Sequence, residues 1–133
     1  YKHVEIDDLH TENVMEHFES CIEFIDQARQ AQSNVFVHWF ALAAFYTPHT
    51  HTAHIAHIAH TAHTAHVGLK CFGDGGSRAG VSRSASVEIA YVMQAEKMGW
   101  EAALNYVRER RPVVCPNVGF RTQLQTWEQR LRE

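Results

Sequence analysis

Residues 79–86 read AGVSRSAS and run directly into an apolar stretch, so the chain passes there from a small, glycine-bearing loop into a predicted helix. Successive backbone N–H groups of such a loop can converge on an anion, and the positive end of the helix dipole adds to the attraction. Arg83 offers a planar fork for two oxygens of an oxyanion, and Ser84 stands where a hydroxyl can support a leaving group. A Ser/Gly turn before an ordinary capped helix has the same local pattern, so this stretch alone leaves both interpretations open.

The segments around the loop show strand and helix patterns in turn. Polar and apolar side chains alternate in residues 1–6, and residues 35–38 begin with a short apolar run typical of a strand buried on both faces. In the predicted helix after the loop, Val87, Ala90, Tyr91 and Met93 lie on one face, and Gly99 stands near the end of the helix. We predict strands at residues 1–6 and 35–38 and helices at residues 13–32, 84–97, 100–110 and 117–131, with Asn117 as the cap of the last helix. This order is that of an α/β domain.

A low-complexity tract interrupts this order. Residues 49–66 read HTHTAHIAHIAHTAHTAH, with a histidine at every third position from His51 to His66. A step of three drifts around an α-helix and alternates faces on a strand, so no packed core requires it. Residues 73–76 (GDGG) add a flexible composition. We therefore expect residues 40–76 to be an insertion that is poorly ordered or packed outside the domain.

Length and composition restrict the class of protein. The 133 residues suffice for a single domain, 1–133, with one core. The net charge of −3 provides no overall positive field, which argues against a nucleic-acid partner. The sequence has no apolar run of about 18 residues and no signal peptide, so we expect no membrane association. Three cysteines without a CxxC pair fit the cytoplasm or nucleus better than secretion.

The loop and the C-terminal third together resemble a known family. Residues 79–86 resemble the end of the HCxxGxxRS signature of dual-specificity protein phosphatases, and Val35–His38 resembles the strand that leads into it. The pairs Arg111-Pro112, Pro116-Asn117, Gly119-Phe120 and Gln123-Leu124 match that family's C-terminal RPxxxPNxGFxxQL pattern. The resemblance covers residues 1–38 and 79–133. It implies a central sheet flanked by helices, with further strands upstream of Tyr1, and hydrolysis of phosphotyrosine or phosphoserine/threonine in proteins without a cofactor.

The resemblance also implies roles for particular residues. In that family a cysteine thiolate attacks phosphorus, an arginine holds the phosphate, and an aspartic acid protonates the leaving oxygen. Arg83 matches the arginine, and Ser84 matches the position of a hydroxyl that supports the leaving group. The phosphate-binding loop would consist of Arg78, Ala79, Gly80, Val81, Ser82 and Arg83. Ser77 stands six residues before Arg83, where the nucleophilic cysteine belongs. A serine hydroxyl stays protonated at neutral pH, so we expect the chain as written to bind oxyanions without turnover.

Two further positions complete the expected site. The resemblance points to the pair Asp7-Asp8 for the general acid, with Asp8 preferred and Asp7 in reserve. A neighbouring carboxylate favours the protonated form that an acid needs, although two aspartates that merely end a strand have the same pattern. Cys71 lies twelve residues before Arg83, which does not match the family spacing, so we expect an ordinary loop thiol there.

The genetic code suggests why the cysteine is missing. Trp39 is encoded by TGG and the codon of Phe40 begins with TT, so an intron can start after TG; if Ser77 is AGC or AGT, the intron can end after AG. Joining TG to C or T gives a cysteine codon, and the removed segment of 77 − 39 = 38 codons, or 38 × 3 = 114 nucleotides, keeps the frame. We therefore hypothesise that residues 39–77 contain a retained intron.

Two alternatives to this hypothesis remain open. The chain can be a pseudophosphatase whose loop binds phosphorylated partners without cleaving them. The histidine tract can bind zinc or nickel, although disordered low complexity is our preferred interpretation and we assign no metal site.

Overall fold

The described part of this computed structural model comprises residues 2–31, 34–41, 53–54, 64–71 and 82–133. Its strands are β1 (Lys2–Glu5), β2 (Asn34–Ala41), β3 (Ala53–His54) and β4 (Thr64–Cys71). Its helices are α1 (Phe18–Gln30), α2 (Arg83–Glu96), α3 (Trp100–Arg110) and α4 (Val118–Arg132), and a 3-10 turn at Val14–His17 leads into α1. The predicted helices are thus confirmed to within a few residues at each end.

The four strands form one sheet in the order β1-β4-β2-β3. Strands β1 and β2 both run parallel to β4, with Val4 opposite Leu69 and Val37 opposite Val67, and β3 runs antiparallel to β2. A parallel arrangement needs a long crossover, and α1 supplies it between β1 and β2. The carboxyl ends of β1, β4 and β2 therefore meet at one edge of the sheet.

The position of β4 corrects one prediction. Residues 40–76 were expected to be poorly ordered or packed outside the core, whereas residues 64–71 lie between β1 and β2 and residues 53–54 pair with β2. Only Thr64, Ala65 and His66 of β4 come from the histidine tract, and Val67–Cys71 follow it. Sheet pairing is made by backbone groups, so a side-chain period of three does not prevent it. Residues 42–52, 55–63 and 72–81 lie outside the described residues.

Helix α2 is the centre of the helical layer. Every residue from Arg83 to Met93 is buried, because α1, α3 and α4 all pack against this helix. The four residues predicted to share one face, Val87, Ala90, Tyr91 and Met93, are all buried, and the residues between them on the other faces are buried as well. The apolar core includes Phe18 and Ile25 of α1, Val107 of α3, and Leu124 of α4.

The start of α4 and the end of α2 show how local sequence sets helix boundaries. Asn117 caps α4 as predicted, because its side chain accepts a hydrogen bond from the Phe120 N–H at 2.9 Å. At the end of α2, Lys97 takes the left-handed position with a φ of 53°. Gly99 lies near that end, as predicted, and directly precedes α3. Among the described residues, no helix is long and apolar enough to cross a membrane.

Candidate active site

The start of α2 carries the buried polar side chains of the candidate site. Ser82, Arg83, Ser84 and Ser86 are all buried. The Ser86 hydroxyl donates to the Ser82 carbonyl at 2.7 Å, and the Ser86 backbone N–H reaches the same oxygen at 2.9 Å. These bonds close the first turn of α2 and fix the direction of the chain at the end of the loop.

Arg83 connects this turn to the end of β1. Its side chain is 2% exposed, and its Nη1 donates to the Ile6 carbonyl at 3.3 Å across 77 residues of sequence. A guanidinium has five N–H donors in a rigid fork, a geometry that suits two-pronged binding of an oxyanion. Burial also removes water that would otherwise screen the charge, which strengthens its attraction for an anion.

Asp8 follows this contact by two residues. Its Oδ1 accepts a hydrogen bond from Asn117 Nδ2 at 2.9 Å, across 109 residues of sequence. Both Asp7 and Asp8 are partly buried. The structure thus brings the preferred acid, Asp8, into a network that reaches the start of α2, because the Asn117 backbone N–H donates to Ser82 Oγ at 2.9 Å.

The first turns of α4 fasten the segment that carries Asp8. A Cβ on Gly119 would lie 1.9 Å from the His10 carbonyl oxygen, so the helix and the segment touch backbone to backbone. Gln123 accepts from the Met15 N–H at 2.9 Å and donates to the Glu12 carbonyl at 2.6 Å. Residues 8–15 are therefore held by α4 at several points rather than resting on the surface as a free loop.

Other expected residues fall elsewhere. Ser77, Arg78, Ala79, Gly80 and Val81 lie outside the described residues, so their predicted roles stay predictions. Cys71 is the last residue of β4, paired with Ala41 of β2, and the prediction of a loop position for it is wrong. Its backbone belongs to a strand because β4 continues to the same edge of the sheet as β2.

The described residues show no group of three or more histidine, cysteine, aspartate or glutamate side chains that could hold a metal ion. Most of the histidine tract lies outside these residues. A surface groove of about 460 Å³ runs along α1 and is lined by Glu19, Glu23 and Asp26, among others. Its carboxylates would repel a phosphate, and its lining includes neither Asp8 nor Arg83, so we do not assign the oxyanion site to it.

Sequence reasoning missed the residues of α4 that contact this site. Asn117 was expected as a helix cap and as a member of the C-terminal pattern, and Gly119 and Gln123 were noted only as members of that pattern. The useful indication was that pattern itself, because its asparagine, glycine and glutamine are the residues that reach residues 8–15.

Comparison with known proteins gives this arrangement a family. The sequence pattern described as "Dual specificity phosphatase, catalytic domain" matches residues 76–130. The chain is 30% identical over 128 residues to dual specificity protein phosphatase 19 of Mus musculus. The alignment covers 96% of this chain and 41% of that protein. The crystal structure of the human tyrosine phosphatase-like serine/threonine/tyrosine-interacting protein aligns with a TM-score of 0.63 and 27% identity, covering 96% of this chain and 60% of that one. The chain belongs to the dual-specificity phosphatase family.

A plant relative of this dual-specificity phosphatase chain extends the comparison. Dual specificity protein phosphatase 1B of Arabidopsis thaliana is 29% identical over 132 residues, covering 99% of this chain and 56% of that protein. The chain spans less than two thirds of the length of each of these relatives. The predicted family and its general fold are confirmed by these likenesses.

Proposed function

We propose that this chain provides the phosphate-holding and proton-donating parts of a protein phosphatase site, and that it binds phosphate without hydrolysing it while Ser77 occupies the nucleophile position. The observation that carries the proposal is the convergence of Arg83 and Asp8. Arg83 donates to Ile6, Asp8 follows Ile6 by two residues, and Asn117 links Asp8 to Ser82 at the start of α2. A fixed cation for the phosphate and a carboxyl group for the leaving oxygen are thus held on one connected framework.

Each proposed role follows from the chemistry of the group. Arg83 and the backbone N–H groups of residues 78–83 hold the phosphate oxygens, Asp8 donates a proton to the leaving oxygen of the substrate, and Ser84 supports departure of the nucleophile in the second step. In an active family member the phosphorus–oxygen bond of the ester breaks as a sulfur–phosphorus bond forms, and water later releases phosphate. Ser77 does not support the first step, because an alcohol is protonated at neutral pH and is a weak nucleophile.

The direct test restores the nucleophile in the full chain. Ser77→Cys places a cysteine six residues before Arg83. We expect this variant to hydrolyse aryl phosphates and the chain as written to show no turnover. Asp8→Asn in that background should slow turnover by roughly 10²-fold for substrates with poor leaving groups. Cys71→Ser is the matched control and should leave turnover unchanged. A folded Ser77→Cys chain without activity, or activity lost with Cys71→Ser, would refute the assignment.

We further propose that residues 39–77 contain a retained intron. The family pattern matches from residue 76, directly before Ser77, which supports a break in the family sequence at that point. Removal of residues 39–77 also removes β4, and β1 and β2 run parallel to each other because both run parallel to β4. Without β4, strands β1 and β2 could pair directly after moving together by one strand spacing of about 4.8 Å, because they already run in the same direction.

The coding sequence tests the intron proposal. A Ser77 codon of the TCN type would exclude it at once. An AGC or AGT codon predicts a transcript shorter by 114 nucleotides on amplification across the junction, the length derived from codons 39 to 77. A chain with residues 39–77 replaced by one cysteine should then hydrolyse aryl phosphates.

A pseudophosphatase is the second candidate function. Ser77 in place of cysteine favours it, since the phosphate-holding residues remain while the nucleophile is absent. It predicts that the chain as written captures a phosphopeptide and that Arg83→Lys weakens this capture, because an ammonium does not reproduce a two-pronged contact. Detection of only the full-length transcript would favour this candidate over the intron.

A further inference from the structure

Asn117 occupies a junction of three segments that are far apart in the sequence. Its backbone N–H donates to Ser82 Oγ, its Nδ2 donates to Asp8 Oδ1, and its Oδ1 accepts from the Phe120 N–H, each at 2.9 Å. One residue therefore connects the end of the phosphate loop, the preferred acid and the first turn of α4. We propose that Asn117 is a positioning residue that fixes Asp8 relative to the bound phosphate, an inference that rests on the function proposed above.

The chemistry of this junction selects asparagine. If the side-chain amide were turned over, its oxygen would face the Asp8 carboxylate and its NH₂ would face the Phe120 N–H, and both contacts would be repulsive. Serine or aspartate can cap α4 equally well, because either offers an acceptor to the Phe120 N–H. Serine also has a hydroxyl donor, but its single oxygen cannot occupy the positions of both Oδ1 and Nδ2. Of these three residue types, only asparagine caps α4 through one atom and donates to Asp8 through another.

The surroundings of Asn117 make it a rigid support. Gly119 lets α4 lie against the His10 backbone, and Gln123 holds the Glu12 carbonyl and the Met15 N–H. Proton donation by a fixed acid requires placement to within roughly 0.5 Å, so a donor bond from a rigid helix start is suited to this task. The hydrogen bond from Asn117 to Ser82 fixes the position of Asp8 relative to the end of the loop that would hold phosphate.

The decisive variant separates positioning from capping. Asn117→Ser retains a cap for α4 through its hydroxyl oxygen and removes the amide donor to Asp8, whereas Asn117→Ala removes both contacts. The matched control is Thr122→Ala, because this exposed hydroxyl bonds only within the same helix, to the Val118 carbonyl. Urea denaturation of each variant verifies that the comparison is made on folded protein.

The kinetic test uses the full chain carrying Ser77→Cys. Asn117→Ser should lower kcat by about 10-fold for a phenyl phosphate, whose leaving group needs the proton, and by less than about 2-fold for an electron-poor aryl phosphate. In an Asp8→Asn background, Asn117→Ser should have no further effect, because both changes act on the same proton transfer. Equal losses for both substrates, or additive losses in the double variant, would overturn the proposal.

A second test uses the chain as written and requires no activity. In ¹⁵N-labelled protein, the side-chain amide resonance of Asn117 should shift when Asp8 is replaced by asparagine and again when inorganic phosphate is added. Absence of a shift with Asp8→Asn would overturn the proposal. If the shift is present but the folded Ser77→Cys chain is inactive, the proposed hydrolysis fails while the link from Asn117 to Asp8 stands.

Discussion

Replacement of Gly119 by alanine tests the contact on which the candidate site depends. The new Cβ would lie 1.9 Å from the His10 carbonyl oxygen and 2.6 Å from the carbonyl carbon. Both are backbone atoms, so they cannot move aside by a change of side-chain rotamer. Real contacts begin near 3.0 Å, so the two backbones must separate by about 1.1 Å. The same movement would stretch the 2.9 Å bond between Asn117 and Asp8 beyond hydrogen-bonding distance.

The expected cost of this change follows from opposing effects. Overpacking costs about 1–3 kcal/mol, and loss of a hydrogen bond to a charged group about 1.5–3 kcal/mol. The higher helix propensity of alanine returns at most about 1 kcal/mol. We therefore expect Gly119→Ala to lower the free energy of unfolding by about 3 kcal/mol, a large share of the stability of a small domain.

Urea denaturation followed by circular dichroism measures this loss as a lower midpoint at unchanged slope. Val118→Ala is the control, because that side chain is 71% exposed and should change stability by less than about 0.5 kcal/mol. A Gly119→Ala variant with a loss no larger than that of the control would show that α4 and the His10 backbone are not in close contact.

Further predictions concern other contacts. Burial raises the pKa of Cys21 from 9.0 to about 11, so the unfolded chain loses this proton first and stability should fall by about 2–3 kcal/mol as the pH rises from 9 to 11. Cys21→Ala should remove that part of the decline, and identical pH profiles would contradict the assignment. The Glu128 carboxylate accepts from the backbone N–H of Trp100 at 3.2 Å, so Glu128→Ala should lower the free energy of unfolding by about 1 kcal/mol in urea denaturation. Arg132→Ala, at an exposed position, should lower it by less than about 0.5 kcal/mol. The Tyr91 hydroxyl accepts from Arg29, so Tyr91→Phe should cost about 1 kcal/mol, with Thr126→Ala as a control that should lose much less.

The elements that sequence reasoning predicted well are those with local causes. The helix expected at residues 100–110 is α3, and those expected at 84–97 and 117–131 differ from α2 and α4 by one residue at each end. Apolar spacing, Pro112 and the Asn117 cap act within a few residues of the positions they specify. The loop motif and the C-terminal pattern also indicate the family from the sequence alone.

Tertiary structure alone decided how these elements meet. Neighbouring elements bury residues 83–93 of α2 on every side, which the sequence period of the helix does not reveal. Backbone pairing places β4 between β1 and β2 despite the histidine repeat. The contacts of Arg83 with Ile6 and of Asn117 with Asp8 span 77 and 109 residues. Such bonds depend on packing that brings distant segments within 3 Å or so of each other, and no periodicity or local propensity encodes that approach. The sequence therefore determined which groups are available for phosphate chemistry, and the fold determined which of them are held together, because hydrogen-bond geometry exists only once the segments are packed.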